Sequence, residues 1–401
     1  MRICSRWISN PPGHLIAPAI ILLFLYGCIP PDNQLQIAKI ERDILKLLNE
    51  NAASVSMESI RQATDYANFI RRLKAIGKPP NIQFLNNKIT DLVLNHLCNL
   101  SIMKGALDRM AFVTFDEESA QTIQAFYPSI PILIYENPLL QGGIKSQADN
   151  AGQIVHQMYR YQLMFIFRAN LIRTLLYEDI SLWMTQADSI WRASLFDFGY
   201  DLDHDQNNDL TDYDAYFDTV GTDEIFYFKK LQPWICGSTI FARANDRSRR
   251  LFDRLHTLLL QMVAADSALL SKLCQNAVAK CYLMPHSVAS NINWFYGPER
   301  KNPPYFIQID GTAKNTTKMK YLRDNGFGFI DERTNECSHA AVRDGIYRLE
   351  LAPKTIMTDQ IFPFNFEFED ITIRLIPFGM QRYQRLKFIP AYRARYSIKY
   401  P

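Results

Sequence analysis

The sequence predicts an α/β fold: a mostly parallel central sheet flanked by helices, with a helical stem before it and a β-rich extension after it. Three observations lead there. Short apolar runs (Met110 to Phe115, Pro131 to Tyr135, Ile180 to Met184) alternate with helical patterns (Glu117 to Phe126, Val155 to Tyr177). Strand, helix, strand, long helix, strand is the order of a parallel sheet with crossover helices. Two of the strand runs lead into a carboxylate, Asp116 and Asp188. Open α/β sheets bind ligands at that carboxyl edge. The 401 residues, 48% hydrophobic and 21% charged, are enough for one large globular domain with extensions.

The elements follow in order. His14 to Ile29 carries no Asp, Glu, Lys or Arg, with Arg2 and Arg6 before it and Pro30-Pro31-Asp32 after it. A spanning helix usually takes ~20 apolar residues, so this run is short. It reads as a cleaved signal peptide or as a signal anchor with its basic end in the cytosol. Either places the chain after about Pro31 in a secretory lumen. Gln34 to Lys78 is polar with Ile37, Ile40, Ile44, Leu47 and Leu48 on one helical face, and Pro79-Pro80 stops it. This is a stem or a helical cover. The α/β alternation begins at Met110. Asn137 to Gly152 is a loop. Asp197 to Asp223 is dense in Asp and reads as a solvated loop. Its Asp201-Leu202-Asp203-His204-Asp205 resembles the start of a calcium loop, but Gln206 stands where glycine is needed. Ile225 to Leu231 and Trp234 to Ala242 read as strands, Ser248 to Ala264 as an amphipathic helix, and Cys281 to Pro285 as a short strand. From Tyr347 to Tyr400 the pattern turns β-like.

Composition excludes several functions. The net charge of +3, with no Lys/Arg stripe, gives no footprint for nucleic acid. There is no Gly-x-Ser-x-Gly elbow, P-loop or Gly-x-Gly-x-x-Gly, so hydrolase, NTPase and dehydrogenase chemistry have no anchor. Asn99-Leu100-Ser101 and Asn315-Thr316-Thr317 are N-glycan acceptor sequons. Five cysteines follow the apolar run: Cys98, Cys236, Cys274, Cys281 and Cys337. They allow two disulfides in an oxidising lumen, with Cys274 and Cys281 a plausible pair.

Asp188 is the leading candidate for chemistry. A hard cation such as Mn2+ or Mg2+ takes oxygen ligands, one or two carboxylates plus diphosphate oxygens, and neutralises charge on a departing diphosphate. The competing role is a strand-end aspartate capping a turn. Gly237, in Cys236-Gly237-Ser238-Thr239, lets backbone approach a ligand closely. Asp266 precedes a helix, as a cap or as the acid that contacts a transferred sugar. Arg168 and Arg173 lie on the helix before the key strand, where one could meet a diphosphate. His286 and His339 are the histidines to consider as a third metal ligand.

Taken in order, these segments resemble the nucleotide-diphospho-sugar transferase domain, a group of GT-A glycosyltransferases. The resemblance rests on Phe115-Asp116-Glu117-Glu118, Ile132-Leu133-Ile134, Arg168 through Leu176, and Gln186-Ala187-Asp188-Ser189-Ile190-Trp191. It continues through Cys236-Gly237-Ser238-Thr239-Ile240-Phe241 and Ala265-Asp266-Ser267-Ala268-Leu269-Leu270, and spans about Pro80 to Asp331. Two positions depart from the pattern: Gln186 stands where the first acid of an Asp-x-Asp motif is usual, and Ser267 where Gln is common. Together with the apolar leader, the helical stem and the β-like tail read above, the chain is expected to have four parts. Residues 1–31 form a signal anchor or signal peptide, 32–79 a stem, 80–344 a GT-A-like transferase domain and 345–401 the β-rich extension. The resemblance implies an enzyme of the Golgi or endoplasmic reticulum membrane with a lumenal domain, secreted if the leader is cleaved. That enzyme would move a sugar from a nucleotide-diphosphate donor, a UDP-sugar, to a glycan or protein hydroxyl with Mn2+ or Mg2+. Asp188 and Gln186 form the donor and metal motif, with Asp188 as the ligand. Asp116, Arg168 and Gly237 bind the donor, and Asp266 serves catalysis. The substitution at Gln186 keeps an alternative open: a transferase-like, catalytically inactive protein that binds glycans or a partner in the same compartment.

Overall fold

The computed structural model describes residues 31–141, 151–197, 209–219, 235–291, 303–309 and 317–351. Its elements begin with three helices: α1 (Pro31–Asn51), α2 (Met57–Arg61) and α3 (Tyr66–Ala75). Next come β1 (Asn81–Leu85), α4 (Thr90–Ser101), β2 (Met110–Thr114), α5 (Glu117–Phe126), β3 (Ile132–Ile134), α6 (Pro138–Gln141) and α7 (Ala151–Tyr177). The middle of the chain gives β4 (Leu182–Met184), β5 (Ser189–Trp191), β6 (Ala215–Thr219), β7 (Ile235–Ala242), α8 (Asp246–Gln261) and α9 (Asp266–Gln275). The last elements are β8 (Cys281–Leu283), β9 (Ala289–Asn291), β10 (Phe306–Gln308), α10 (Lys318–Asp324) and α11 (His339–Leu351).

The central sheet has seven strands in the order β3-β2-β1-β4-β7-β6-β8. Strands β1 to β4 are mutually parallel, β8 is parallel to β6, and β7 runs antiparallel to both its neighbours. The parallel core expected from the apolar runs is present. It contains one strand more than the sequence suggested: β1 separates β2 from β4. Its hydrophobic pattern is broken by Asn81 and Gln83, both fully buried. Their amide nitrogens converge on Thr185 Oγ1 at 2.9 and 2.8 Å, so the amide donors are paired inside the sheet, while Gln83 Oε1 is buried without a hydrogen-bond partner. A smaller sheet, β5-β10-β9, stands beyond β4.

Alternation along the strands divides the core into two layers. In β2, Ala111 and Val113 join the core built by α1, α2, α3, α7, α8 and α9, while Met110 and Phe112 join the core built by α4, α5, α10 and α11. The segment expected as a stem or cover lies on the domain as a cover: Ile40, Ile44, Leu48, Val55, Ile60, Phe69, Ile70 and Leu73 are all core residues.

The structure corrects three sequence readings. The acidic stretch is not a uniformly solvated loop. It contains β6, and Asp214 and Asp218 are buried. Tyr347 to Leu351, expected in the β-rich extension, is helical as the end of α11. Asn99 is fully buried in α4, so it is not an accessible glycan acceptor. Its amide donates to the Trp191 carbonyl at 2.9 Å and its Oδ1 accepts the Trp191 N–H at 2.7 Å. Disulfides join Cys274 to Cys281 and Cys98 to Cys337, and the fifth cysteine, Cys236, lies in β7. Among the described residues no helix is long and apolar enough to cross a membrane. The apolar run 14–29, the calcium-like Asp201–Asp205, the expected strand 225–231, Asn315 and the extension after Leu351 lie outside the described residues.

Candidate active site

The carboxyl edge of the sheet collects the candidate residues. Asp116 follows β2, and Asp188 follows β4. In the register between β4 and β7, Met184 faces Ile240, so the first residues of β7, Gly237 among them, project past the end of β4 on the same edge. Asp218, near the end of β6, shares this edge.

Asp188 sits at a tight corner between two strands. Ser189 Oγ donates to the Gln186 carbonyl at 2.9 Å, and β5 then pairs with β10 so that Ser189 faces Gln308. The Ile309 N–H donates to the Asp188 carbonyl at 2.8 Å. This ladder brings Gln308 beside the Asp188 carboxylate. Gln308 Nε2 donates to Asp188 Oδ1 and, at 3.2 Å, to Gln186 Oε1. Lys318, the first residue of α10, donates its Nζ to Asp188 Oδ2. Asp188 is 5% exposed and Gln308 1%. Gln308 Oε1 is buried without a hydrogen-bond partner. Beneath this cluster, His96 of α4 donates from Nδ1 to the Ser189 carbonyl at 3.2 Å. Burial pushes His96 down to about 4, against the upward pull of that carbonyl and of the Asp188 charge.

A second cluster joins three residues singled out in the sequence. Arg168, on α7, donates from Nε to Asp266 at 2.7 Å, makes a second bond to the same carboxylate oxygen, and donates from Nη1 to the Gly237 carbonyl at 2.8 Å. Asp266 also accepts the Ser267 N–H at 2.7 Å. Gly237 has φ +78°, and a Cβ there would lie 3.1 Å from Ser267 Cβ, so β7 and the start of α9 meet at a position only glycine fits easily. Beside it, Asp218 Oδ1 accepts the N–H groups of Gly237 and Thr239, each at 3.1 Å, and Oδ2 accepts the Ser238 hydroxyl. Burial raises the Asp218 carboxyl above its ordinary range, and these bonds oppose the rise.

The remaining candidates have local partners. Asp116 caps α5: its oxygens accept the Ser119 N–H at 2.8 Å and the Asn87 N–H at 2.9 Å. Arg173 points to α8, with Nε 2.7 Å from Asp253. His286 Nε2 lies 3.0 Å from Thr219 Oγ1, and His339 is exposed at the start of α11. Among the described residues no group of three His, Cys, Asp or Glu side chains could hold a metal ion. The carboxylate expected to bind one instead faces an ammonium and an amide N–H, so the described residues do not fit a divalent metal. Sequence reasoning missed Gln308, Lys318, His96 and Asp218. The first two lie more than a hundred residues from Asp188, with no local motif to mark them.

The profile of the nucleotide-diphospho-sugar transferases matches residues 105–322, more than half of the chain. The chain belongs to that family. Every residue of the two clusters except His96 falls within the matched stretch. With the family comes the assignment as a glycosyltransferase, and with the sheet the GT-A-type fold. No curated protein gives a significant sequence match. Among solved structures, similarity extends to the galactosyltransferase LgtC with donor and acceptor sugar analogs, at 9% identity over 62% of this chain and 95% of that one, TM-score 0.42. It extends also to mouse xyloside xylosyltransferase 1 in its apo form, at 8% identity over 58% of this chain and 98% of that one, TM-score 0.37. The mannosyltransferase PcManGT from Pyrobaculum calidifontis, in complex with GDP-Man and Mn2+, is similar at 11% identity over 90% of this chain and all of that one, TM-score 0.32. These likenesses are distant, and membership rests on the sequence match.

Proposed function

We propose that this transferase moves a sugar from a nucleoside-diphosphate donor, a UDP-sugar, to a hydroxyl of a glycan or glycoprotein. The family match across the sheet edge that carries Asp188, Gly237 and Asp266 is the observation that supports it most. In this reading the diphosphate lies at the corner formed by Gln186, Asp188 and Lys318. Gly237 lets the β7 backbone approach the donor sugar, and Asp266, oriented by Arg168, contacts the sugar or the acceptor. The two disulfides are stable in an oxidising compartment, which supports a lumenal location, either Golgi or endoplasmic reticulum membrane or secreted. The membrane contact in this reading belongs to the apolar run 14–29. A hydrolysis screen over a panel of nucleotide sugars tests the donor. Turnover of one UDP-sugar above the rest supports the reading, and no turnover with any donor refutes it.

A second reading has a specific observation behind it. Gln186 replaces an acid and Lys318 occupies the remaining one, as in a transferase-like protein that binds glycans or a partner without catalysis. UDP binding without turnover would favour this second reading.

A further inference from the structure

Around Asp188, each carboxylate oxygen faces an N–H group: Lys318 Nζ on one side and Gln308 Nε2 on the other. The third oxygen of the cluster, Gln186 Oε1, accepts from the same Gln308 amide at 3.2 Å. Among the described residues, the charged groups that meet here are the Asp188 carboxylate and the Lys318 ammonium. A divalent cation approaching Asp188 would have to expel this ammonium against like-charge repulsion. The Lys318 side chain is 36% exposed and that of Asp188 6%, so the lysine is the member of the pair that solvent and a ligand can reach. An ammonium has three donors, which lets one group hold a carboxylate and a ligand oxygen together. The lysine is fixed at the start of α10, where Thr317 caps the helix by accepting the Lys320 N–H at 3.1 Å.

We propose that Lys318 stands in for the divalent metal. Held by Asp188, it binds the diphosphate of the nucleotide donor, and the site takes that donor without Mn2+ or Mg2+. The proposal rests on the donor reading above and deepens it.

Calorimetric titration of the full chain with UDP, and in parallel with GDP, in EDTA and then in Mn2+, tests it. The expected result is binding of one nucleotide with an affinity that EDTA and Mn2+ leave within about twofold of each other. Lys318→Ala should weaken that binding by ~10-fold or more in EDTA, the loss of one charge-assisted hydrogen bond. Lys318→Arg, which keeps the charge, should retain metal-free binding and guards against a folding defect in the alanine variant. Gln186→Asp with Lys318→Ala places two acids and no ammonium at the corner. This double variant should bind Mn2+ alone, which the wild type should not, and should bind the nucleotide only when Mn2+ is present. Wild-type binding that requires Mn2+, with tighter binding in Lys318→Ala, would overturn the inference and leave the donor reading standing. No binding of either nucleotide in either buffer would overturn both.

Discussion

Replacing Arg168 with Met keeps most of the side-chain volume and removes every hydrogen bond the guanidinium makes. Those bonds reach Asp266 twice and the Gly237 carbonyl at 2.8 Å. The Arg168 side chain is 11% exposed and that of Asp266 4%, so the pair is largely shielded from water. Without Arg168, Asp266 keeps only the Ser267 N–H, at 2.7 Å, among these partners. Removing one member of a buried pair typically costs ~3–5 kcal/mol, because the other charge stays buried and uncompensated. The surviving backbone bond places this case near the lower end, ~3 kcal/mol. The double change Arg168→Met and Asp266→Leu removes both charges and should fall within ~1 kcal/mol of the wild type. Urea unfolding of the wild type, both single variants and the double variant gives the coupling energy directly. A cost below ~1 kcal/mol for Arg168→Met, as for an exposed pair, would refute the view that this ion pair organises the β7–α9 junction.

His96 has a folded value of about 4 against an ordinary 6.5, so the unfolded chain takes up the proton first as pH falls. The contribution of neutral His96 is complete above pH 6.5 and is lost toward pH 4; the stability difference between wild type and His96→Asn should shrink by ~3 kcal/mol across that window, and a flat difference would contradict it. Asn99 should stay unmodified when the chain is made in a secretory cell, so Asn99→Gln should leave endoglycosidase mobility shifts unchanged, whereas Asn315→Gln should abolish any shift. Opening Cys98–Cys337, which spans 239 residues, should destabilise by ~5 kcal/mol in the loop-entropy view, against ~2 for Cys274–Cys281, which spans 7; equal losses in denaturant midpoints would argue otherwise.

Much of the fold was legible because β2, β3 and β4 are apolar runs and α5 and α7 carry a helical period. The unread strands failed for one physical reason: buried polar groups whose partners are remote in sequence. Asn81 and Gln83 look like loop residues until Thr185, more than a hundred positions on, supplies their partner. Asp214 and Asp218 look solvated when acids are counted, yet the Lys280 N–H binds the first at 2.7 Å and the β7 backbone binds the second. A carboxylate paired with backbone N–H groups is stable inside a protein, and sequence composition cannot show that pairing.

The site divides along the same line. Asp188, Gly237 and Asp266 were visible because each sits in a short ordered motif near an element end, and Arg168 because it is a basic residue on the helix that precedes the Trp183 strand. Gln308 and Lys318 were not, since only the β5–β10 pairing and the position of α10 carry them to Asp188. Their arrival changes the meaning of Gln186. Alone, a glutamine for an acid reads as a weakened metal site. Beside a lysine on the neighbouring carboxylate, it is the residue charge balance favours. A second carboxylate at 186 would leave the corner with one net negative charge and an incentive to recruit a cation. With glutamine there, the Asp188 carboxylate is met by the Lys318 ammonium and the Gln308 amide rather than by a second acid, and a diphosphate would bring its charge to that ammonium.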